Sequence, residues 1–135
     1  MIVVDSCGWV ERLAGTPYGE RYSEAFRDDA GLVVPSVCVT EVWRTIAREA
    51  DETAALAAVA VMCRASVCEL GAELAVVAGR LGRAHRLPLA DSIIYATSRQ
   101  HGAELWTHDA HFRGLPGVRF VEPPPRTARS VNRAS

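Results

Sequence analysis

Residues 87–112 read LPLADSIIYATSRQHGAELWTHDAHF. Ile93, Ile94, Ala96 and Thr97 give a packing side to a helix expected from Ala90 to His101. Gly102 stands where glycine closes a helix in the left-handed conformation. Glu104–Thr107 then reads as a short strand, and His108–Phe112 as a polar turn into a short helical piece, stopped by Gly114, Pro116 and Gly117. A helix delivered into a short apolar strand is the repeating unit of a parallel α/β sheet. Asp91 falls in the first turn of that helix and Asp109 just past the strand, so two carboxylates stand at the ends of neighbouring elements.

The same alternation runs back to the amino terminus. Gly71 opens a helix to about Arg86, with Leu74, Val77, Ala78, Leu81 and Ala84 inward and Arg80, Arg83 and Arg86 as a solvated basic edge. Val67–Leu70 is a short strand before it. Asp51 caps a helix from Glu52 to about Ala65, with Leu56, Val59, Met62 and Cys63 inward. Ser36 caps another, to about Ala50, which buries Val39, Val42, Trp43, Ile46 and Ala47. Leu32–Val34 is a strand closed by Pro35, and Tyr18–Ala30 a helix with Tyr22, Ala25 and Phe26 as its stripe. Ile2–Val4 is a β-branched run suited to a strand covered on both faces. It ends at Asp5-Ser6, and Trp9, Val10 and Leu13 follow at helical spacing.

Past the quoted stretch, Val118–Val121 is a last strand. Pro123–Pro125 ends the fold, and Arg126, Arg129 and Arg133 follow without apolar period. Residues 1–122 are therefore expected to form one domain, and 123–135 a Pro/Arg-rich tail without fixed structure. The fold class is α/β: three layers, α/β/α, around a central, mostly parallel sheet.

Composition bounds the chemistry. The 135 residues are 49% hydrophobic and 23% charged with net charge −1, ordinary for a soluble domain. All 15 basic residues are arginine. Without lysine there is no Walker A loop and no Schiff-base or pyridoxal chemistry. A GxGxxG fingerprint and a serine nucleophile elbow are absent too. Cys7, Cys38, Cys63 and Cys68 have no zinc spacing and read as small buried hydrophobes in a reducing compartment. Met1 runs directly into IVV with no signal-peptide pattern, and the longest apolar run, Ala54–Cys63, is too short to cross a bilayer. A cytoplasmic protein without membrane contact is expected.

What remains is carboxylates at element ends: Asp5, Glu41, Asp91 and Asp109. Convergent carboxylates repel one another, and a hard cation such as Mg2+ or Mn2+, which prefers oxygen ligands, resolves the repulsion. Such a site suits cleavage of a phosphodiester. Each acid also has a plainer reading. Asp5 fits a helix cap as well as a ligand. Glu41, with Arg44 and Arg48 at i+3 and i+7, fits a solvated helix face with a salt bridge. His108 and His111 flank Asp109 as ligands, proton relays or simple turn residues.

The pieces IVVDS, VTEVWR, LADSIIYATSRQHG and LWTHDAHF, in this order, resemble the PIN domain, and more narrowly the VapC-type toxins of bacterial toxin–antitoxin pairs. The resemblance covers residues 1 to about 121. It implies a Mg2+-dependent endoribonuclease, with Mn2+ as a substitute. Asp5, Asp91 and Asp109 would hold the cation, Glu41 would complete the acidic cluster and position or deprotonate water, and Thr107 would support the site. It also implies a homodimer and a cognate antitoxin that covers the site. Apart from the resemblance, Arg44 and Arg48 lie one and two turns after Glu41 on the same helix face and are expected to hold RNA phosphate, the rival being a helix pair between Arg44 and Glu41. His111 departs from the family pattern, where many relatives carry another acid. The alternatives are a housekeeping PIN-fold ribonuclease in RNA maturation or decay without an antitoxin, and a non-catalytic PIN-fold binding module.

Overall fold

The structure is a computed structural model that describes residues 1–126; residues 127–135, most of the tail expected to lack fixed structure, lie outside the described residues. Short apolar runs become strands: β1 (Ile2–Val4), β2 (Val33–Pro35), β3 (Ser66–Cys68), β4 (Glu104–Thr107) and β5 (Val118–Phe120). Their pairings are all parallel: β1 with β4, β4 with β5, and β2 with β3. A single bridge, Ile2 to Leu32, joins the two pieces, so the spatial order is β3-β2-β1-β4-β5. Val3, Val4, Val33, Val34 and Leu105 are all buried, as strands covered on both faces require.

The helices are α1 (Ser6–Ala14), α2 (Pro17–Glu20), α3 (Ser36–Glu49), α4 (Glu52–Met62), α5 (Ala72–His85) and α6 (Leu89–Gln100). The chain steps from β1 to β2 to β3 in one direction and then returns to place β4 on the far side of β1. Right-handed crossovers put the helices of the outward steps on one face and those of the return on the other. The packing agrees: α3 lies against α1 and α4, and α5 lies against α6. This is the three-layer α/β/α arrangement expected. Trp9, Tyr22, Met62, Ile94, Tyr95 and Phe112 fill the core around the strands. Gly82 lets α5 approach closely, since a Cβ there would sit 2.7 Å from the Cβ of Ser92, next to Asp91.

Several local expectations change. The helix expected over Tyr18–Ala30 is one turn, α2, followed by tight turns. From Arg21 the amides bond to carbonyls three residues back, and the Ser23 hydroxyl also takes the Glu20 carbonyl at 2.7 Å. This local competition ends the helix and drives Tyr22 fully into the core. β2 and β3 are displaced by about a residue from the expected runs, and Pro35, not Ser36, holds the cap position of α3, with no side-chain cap bond. Asp51 does cap α4, accepting from the Ala54 amide at 2.7 Å.

On α4 the buried residues are Ala55, Ala58 and Met62, whereas Leu56 is 64% exposed and Cys63 is also exposed. An alanine-rich helix is apolar all round, so residue type alone does not show which side packs. On α5, Leu74 and Ala78 pack while Val77 and Ala84 are exposed. Trp43, read as a core residue, is half-buried and stands outside the core cluster.

Candidate metal centre

In open α/β sheets ligands bind beyond the carboxyl ends of the strands, where the strand order reverses. Here that point lies between β1 and β4. Asp5 follows β1 directly and its amide continues the pairing, donating to the Trp106 carbonyl at 3.0 Å. Thr107 ends β4, and Asp109 leads into a 3-10 turn, Ala110–Phe112. Asp91 comes from the first turn of α6 and Glu41 from the middle of α3.

Asp5 is 2% exposed and held on both oxygens. Its Oδ1 accepts from the Ser6 amide at 2.7 Å and its Oδ2 from the Thr107 hydroxyl at 2.7 Å. Cap and cluster member are thus one role: the residue that starts α1 also faces the acids. Burial raises the Asp5 pKa, the Thr107 and Ser6 hydrogen bonds oppose the rise, and the charges of Glu41 and Asp109 add to it. Thr107, fully buried, also accepts from the Asp109 amide at 3.0 Å, so one hydroxyl fixes two of the acids. Glu41 Oε1 accepts from the Ser6 hydroxyl at 2.9 Å.

The other side is more open. His111 Nδ1 lies 3.1 Å from Asp91 Oδ2 and 3.0 Å from Asp109 Oδ1, bridging the two. Asp109 Oδ1 also accepts from the His111 amide at 2.9 Å, which folds the imidazole back over the carboxylates. The Asp91 pKa is raised to about 7, first by burial, then by the charges of Asp5 and Asp109, with His111 opposing. In a chain with 15 arginines, none pairs with any of these four acids among the described residues.

That donor set fits a hard divalent cation. Asp5 and Asp91 are buried and held above their ordinary pKa, first by burial and then by neighbouring carboxylates, and no arginine among the described residues compensates them. Among the described residues, two groupings bring candidate ligand atoms within 4.8 Å of one another: Asp5, Cys38 and Glu41, and Asp91, Asp109 and His111. The expected ligands Asp5, Asp91 and Asp109 are therefore split between two adjoining clusters.

Arg44 and Arg48 are exposed on α3. Arg48 pairs with Glu49 at 3.8 Å, and no ion pair joins Arg44 to Glu41 among the described residues.

Three residues at the site were not singled out from the sequence as site members. Ser6 joins Asp5 to Glu41. Cys7, read as a buried hydrophobe, has its thiol 3.6 Å from Asp5 Oδ2 and 3.7 Å from Thr107 Oγ1. Burial and the Asp5 charge push that thiol up to about 12. Cys38 is fully buried beside Asp5 and Glu41. His111, read from the sequence as a ligand, a proton relay or a turn residue beside Asp109, bridges Asp91 and Asp109. His108 is not an idle turn residue either. It stacks on Tyr18 with centroids 4.1 Å apart and its Nδ1 meets the Tyr22 hydroxyl at 2.7 Å. Burial lowers its pKa, favouring the neutral ring.

A parallel α/β fold with carboxylates gathered where its strand order reverses defines a class of acidic-site proteins. The PIN domain family model matches residues 2–118, and the chain belongs to that family. Solved structures share the fold. A toxin–antitoxin complex from Klebsiella pneumoniae aligns with TM-score 0.78 and 20% identity, covering 92% of this chain and 100% of that one. VapC20 of Mycobacterium tuberculosis, described as a sarcin-ricin loop cleaving toxin, aligns with TM-score 0.72 and 23% identity over 93% of this chain and 100% of its own. VapBC2 from Rickettsia felis, solved with a fragment of promoter DNA, aligns with TM-score 0.69 and 14% identity over 90% and 100%. No curated protein sequence matches the chain significantly. Among the described residues, no helix is long and apolar enough to cross a membrane.

Proposed function

We propose that this protein is a Mg2+- or Mn2+-dependent endoribonuclease acting as the toxin of a VapBC-type pair. The observation that carries the reading is the acid cluster at the switch point, which no arginine neutralises among the described residues, with Asp5 buried and Asp91 pushed up to about 7. Asp5, Asp91 and Asp109 are the proposed ligands. Glu41 adjoins them, with Oε1 held by Ser6. When bound, a divalent cation would polarise the phosphate and offset charge developing on its oxygens. Water adds to phosphorus and one ester oxygen leaves. Glu41 positions that water and takes its proton, and no covalent intermediate is needed. Thr107 keeps Asp5 and the Asp109 backbone in register throughout. Arg44 and Arg48, on the helix that carries Glu41, are proposed to hold the flanking phosphates.

The partner reading draws on the fold neighbours, some of which were solved as toxin–antitoxin complexes. An apolar cavity of about 390 Å3 between α1, α3 and α4, lined by Val10, Leu13, Ile46, Ala54, Ala58 and Val61 among others, suits an apolar segment of an antitoxin. Exposed Val67, Leu70, Val76 and Val77, at and after the open edge strand β3, supply apolar surface for a homodimer. The test is purified protein on total RNA with Mn2+ or EDTA, with the cut ends mapped. Cleavage in Mn2+ that stops in EDTA is expected. Equal cleavage in EDTA would overturn the metal reading, and none under either condition the ribonuclease reading. A neighbouring small gene whose product co-purifies with the protein and silences it would separate a toxin from a housekeeping nuclease.

A further inference from the structure

A second cavity, of about 290 Å3, opens beside the carboxylates and is lined by Ser6, Cys7, Val10, Glu11, Thr45 and His108. Its floor is shared with the acid cluster, because Ser6 donates to Glu41 at 2.9 Å and the Cys7 thiol lies 3.6 Å from Asp5 Oδ2. A chain whose phosphate sits at the acids therefore has a neighbouring nucleoside within reach of this cavity.

The walls suit a flat, polar ring. His108 is fixed on one side, stacked on Tyr18 at 4.1 Å and pinned by the Tyr22 hydroxyl at 2.7 Å. Unpaired RNA bases are commonly bound by stacking on such rings and by hydrogen bonds to their exposed edges. The remaining polar residues of the lining are Glu11, Thr45 and Ser6. Glu11 is anchored, since its Oε2 accepts from the Thr16 hydroxyl at 2.6 Å. A carboxylate offers about four lone-pair directions, so Oε1 and part of Oε2 remain as acceptors.

Base chemistry then discriminates. Guanine presents two adjacent donors, N1–H and the N2 amino group, which match a carboxylate. Adenine and cytosine set an acceptor beside their single amino group. Uracil sets its one N–H between two carbonyls, which a carboxylate repels. The Thr45 hydroxyl can donate to the guanine O6.

We infer that this cavity is a guanine subsite beside the acid cluster, in which Glu11 reads the N1–H and N2 edge of the base. It rests on the ribonuclease reading for its role but has its own readout. Equilibrium dialysis of 5′-GMP, 5′-IMP, 5′-AMP, 5′-CMP and 5′-UMP against the Mn2+-loaded protein should show GMP bound best. The expected margin is roughly tenfold or more, the discrimination a good bidentate contact supplies. IMP, which lacks the N2 amino group, should fall between GMP and AMP. Glu11→Gln, which keeps an acceptor for Thr16, should erase the GMP preference, as should Glu11→Ala, with melting curves checking that both remain folded. Equal binding of the five nucleotides, or a GMP preference that survives in a folded Glu11 variant, overturns the inference whatever the cleavage result. In parallel, oligoribonucleotides that differ at one position report the reaction. Failure to cut any of them overturns the ribonuclease reading, while the dialysis still decides the subsite.

Discussion

The two sides of the acid cluster are built differently. Around Asp5 the carboxylate is 2% exposed, and both oxygens are engaged, one by Thr107 at the end of β4 and the other by the Ser6 amide that opens α1. Around Asp91 and Asp109 the contact that ties the acids together is a histidine whose side chain is 56% exposed. The first side is preset by the sheet itself. The second is closed by a half-exposed imidazole on a surface turn, the more adjustable of the two. The difference teaches where rigidity comes from: a hydroxyl on a buried strand fixes geometry, whereas an imidazole on a surface turn only offsets charge.

The sharpest way to break this comparison is to substitute on both sides. Asp5→Asn keeps the cap geometry but removes the charge at the fixed side. Cleavage should fall by more than roughly a hundredfold, beyond the 10–100-fold that loss of a supporting partner costs a metal site. Asp109→Asn should be comparably damaging, since the charge, and not the rigidity, is common to both sides. Full activity of either variant in saturating Mn2+ removes that residue from the centre.

Next in size is the support. Thr107→Val conserves shape and deletes the hydroxyl that donates to Asp5 and accepts from the Asp109 amide. Activity should drop roughly 10–100-fold with a weaker Mn2+ requirement curve. His111→Ala, on the adjustable side, should cost clearly less. If the histidine variant is the more damaged of the two, the fixed and adjustable sides have been assigned the wrong way round.

Stability against pH sharpens the open side. The folded Asp91 pKa, about 7, lies above its ordinary 3.8. Between those values the folded state binds more proton than the unfolded state, so metal-free stability falls as pH rises through the window. Below it Asp91 makes no difference, and above it the penalty is complete. The Tm in EDTA should therefore be higher at pH 5 than at pH 8. Asp91→Asn should shrink that gap by about 5 °C or more, since one kcal/mol moves the Tm of such a domain by roughly 4 °C. Parallel pH profiles for wild type and Asp91→Asn would show that Asp91 carries no excess proton affinity.

The legibility of the chain divides along similar lines. The alternation of strand and helix was plain because buried parallel strands demand continuous apolar runs, as in IVV and LVV. The positions of Asp5 and Asp109 followed from where those runs stop, and that of Asp91 from where a helix begins. Packing sides were harder to read on α4, where alanine on every side hides the direction of the core, and over Tyr18–Ala30, where Ser23 bonding to Glu20 ended a helix that the spacing supported. The small partners of the acids stayed hidden for another reason. Ser6, Cys7 and Cys38 gain their positions through contacts such as Ser6 to Glu41, which are remote in sequence and leave no local pattern.

The smallest expected effect lies outside the cluster, at Arg44. On α3 it follows Glu41 by one turn, and a helix pair between them would stabilise by only a few tenths of a kcal/mol. Among the described residues no ion pair joins the two, while Arg48 spends its charge on Glu49 at 3.8 Å, both side chains well exposed. An exposed pair of that kind is worth little and breaks readily in favour of phosphate. Arg44 is therefore the better placed of the two to meet RNA, and Arg44→Ala should weaken binding similarly across sequences. The salt dependence should become shallower by about 0.7 in log–log slope, the value for one phosphate on a single strand. Arg48→Ala should change the slope by less, because a carboxylate already shares its guanidinium. Salt titrations of RNA binding in EDTA decide it: superimposable slopes for wild type and Arg44→Ala would return Arg44 to the solvent, and a larger change at Arg48 would move the substrate path one turn along the helix.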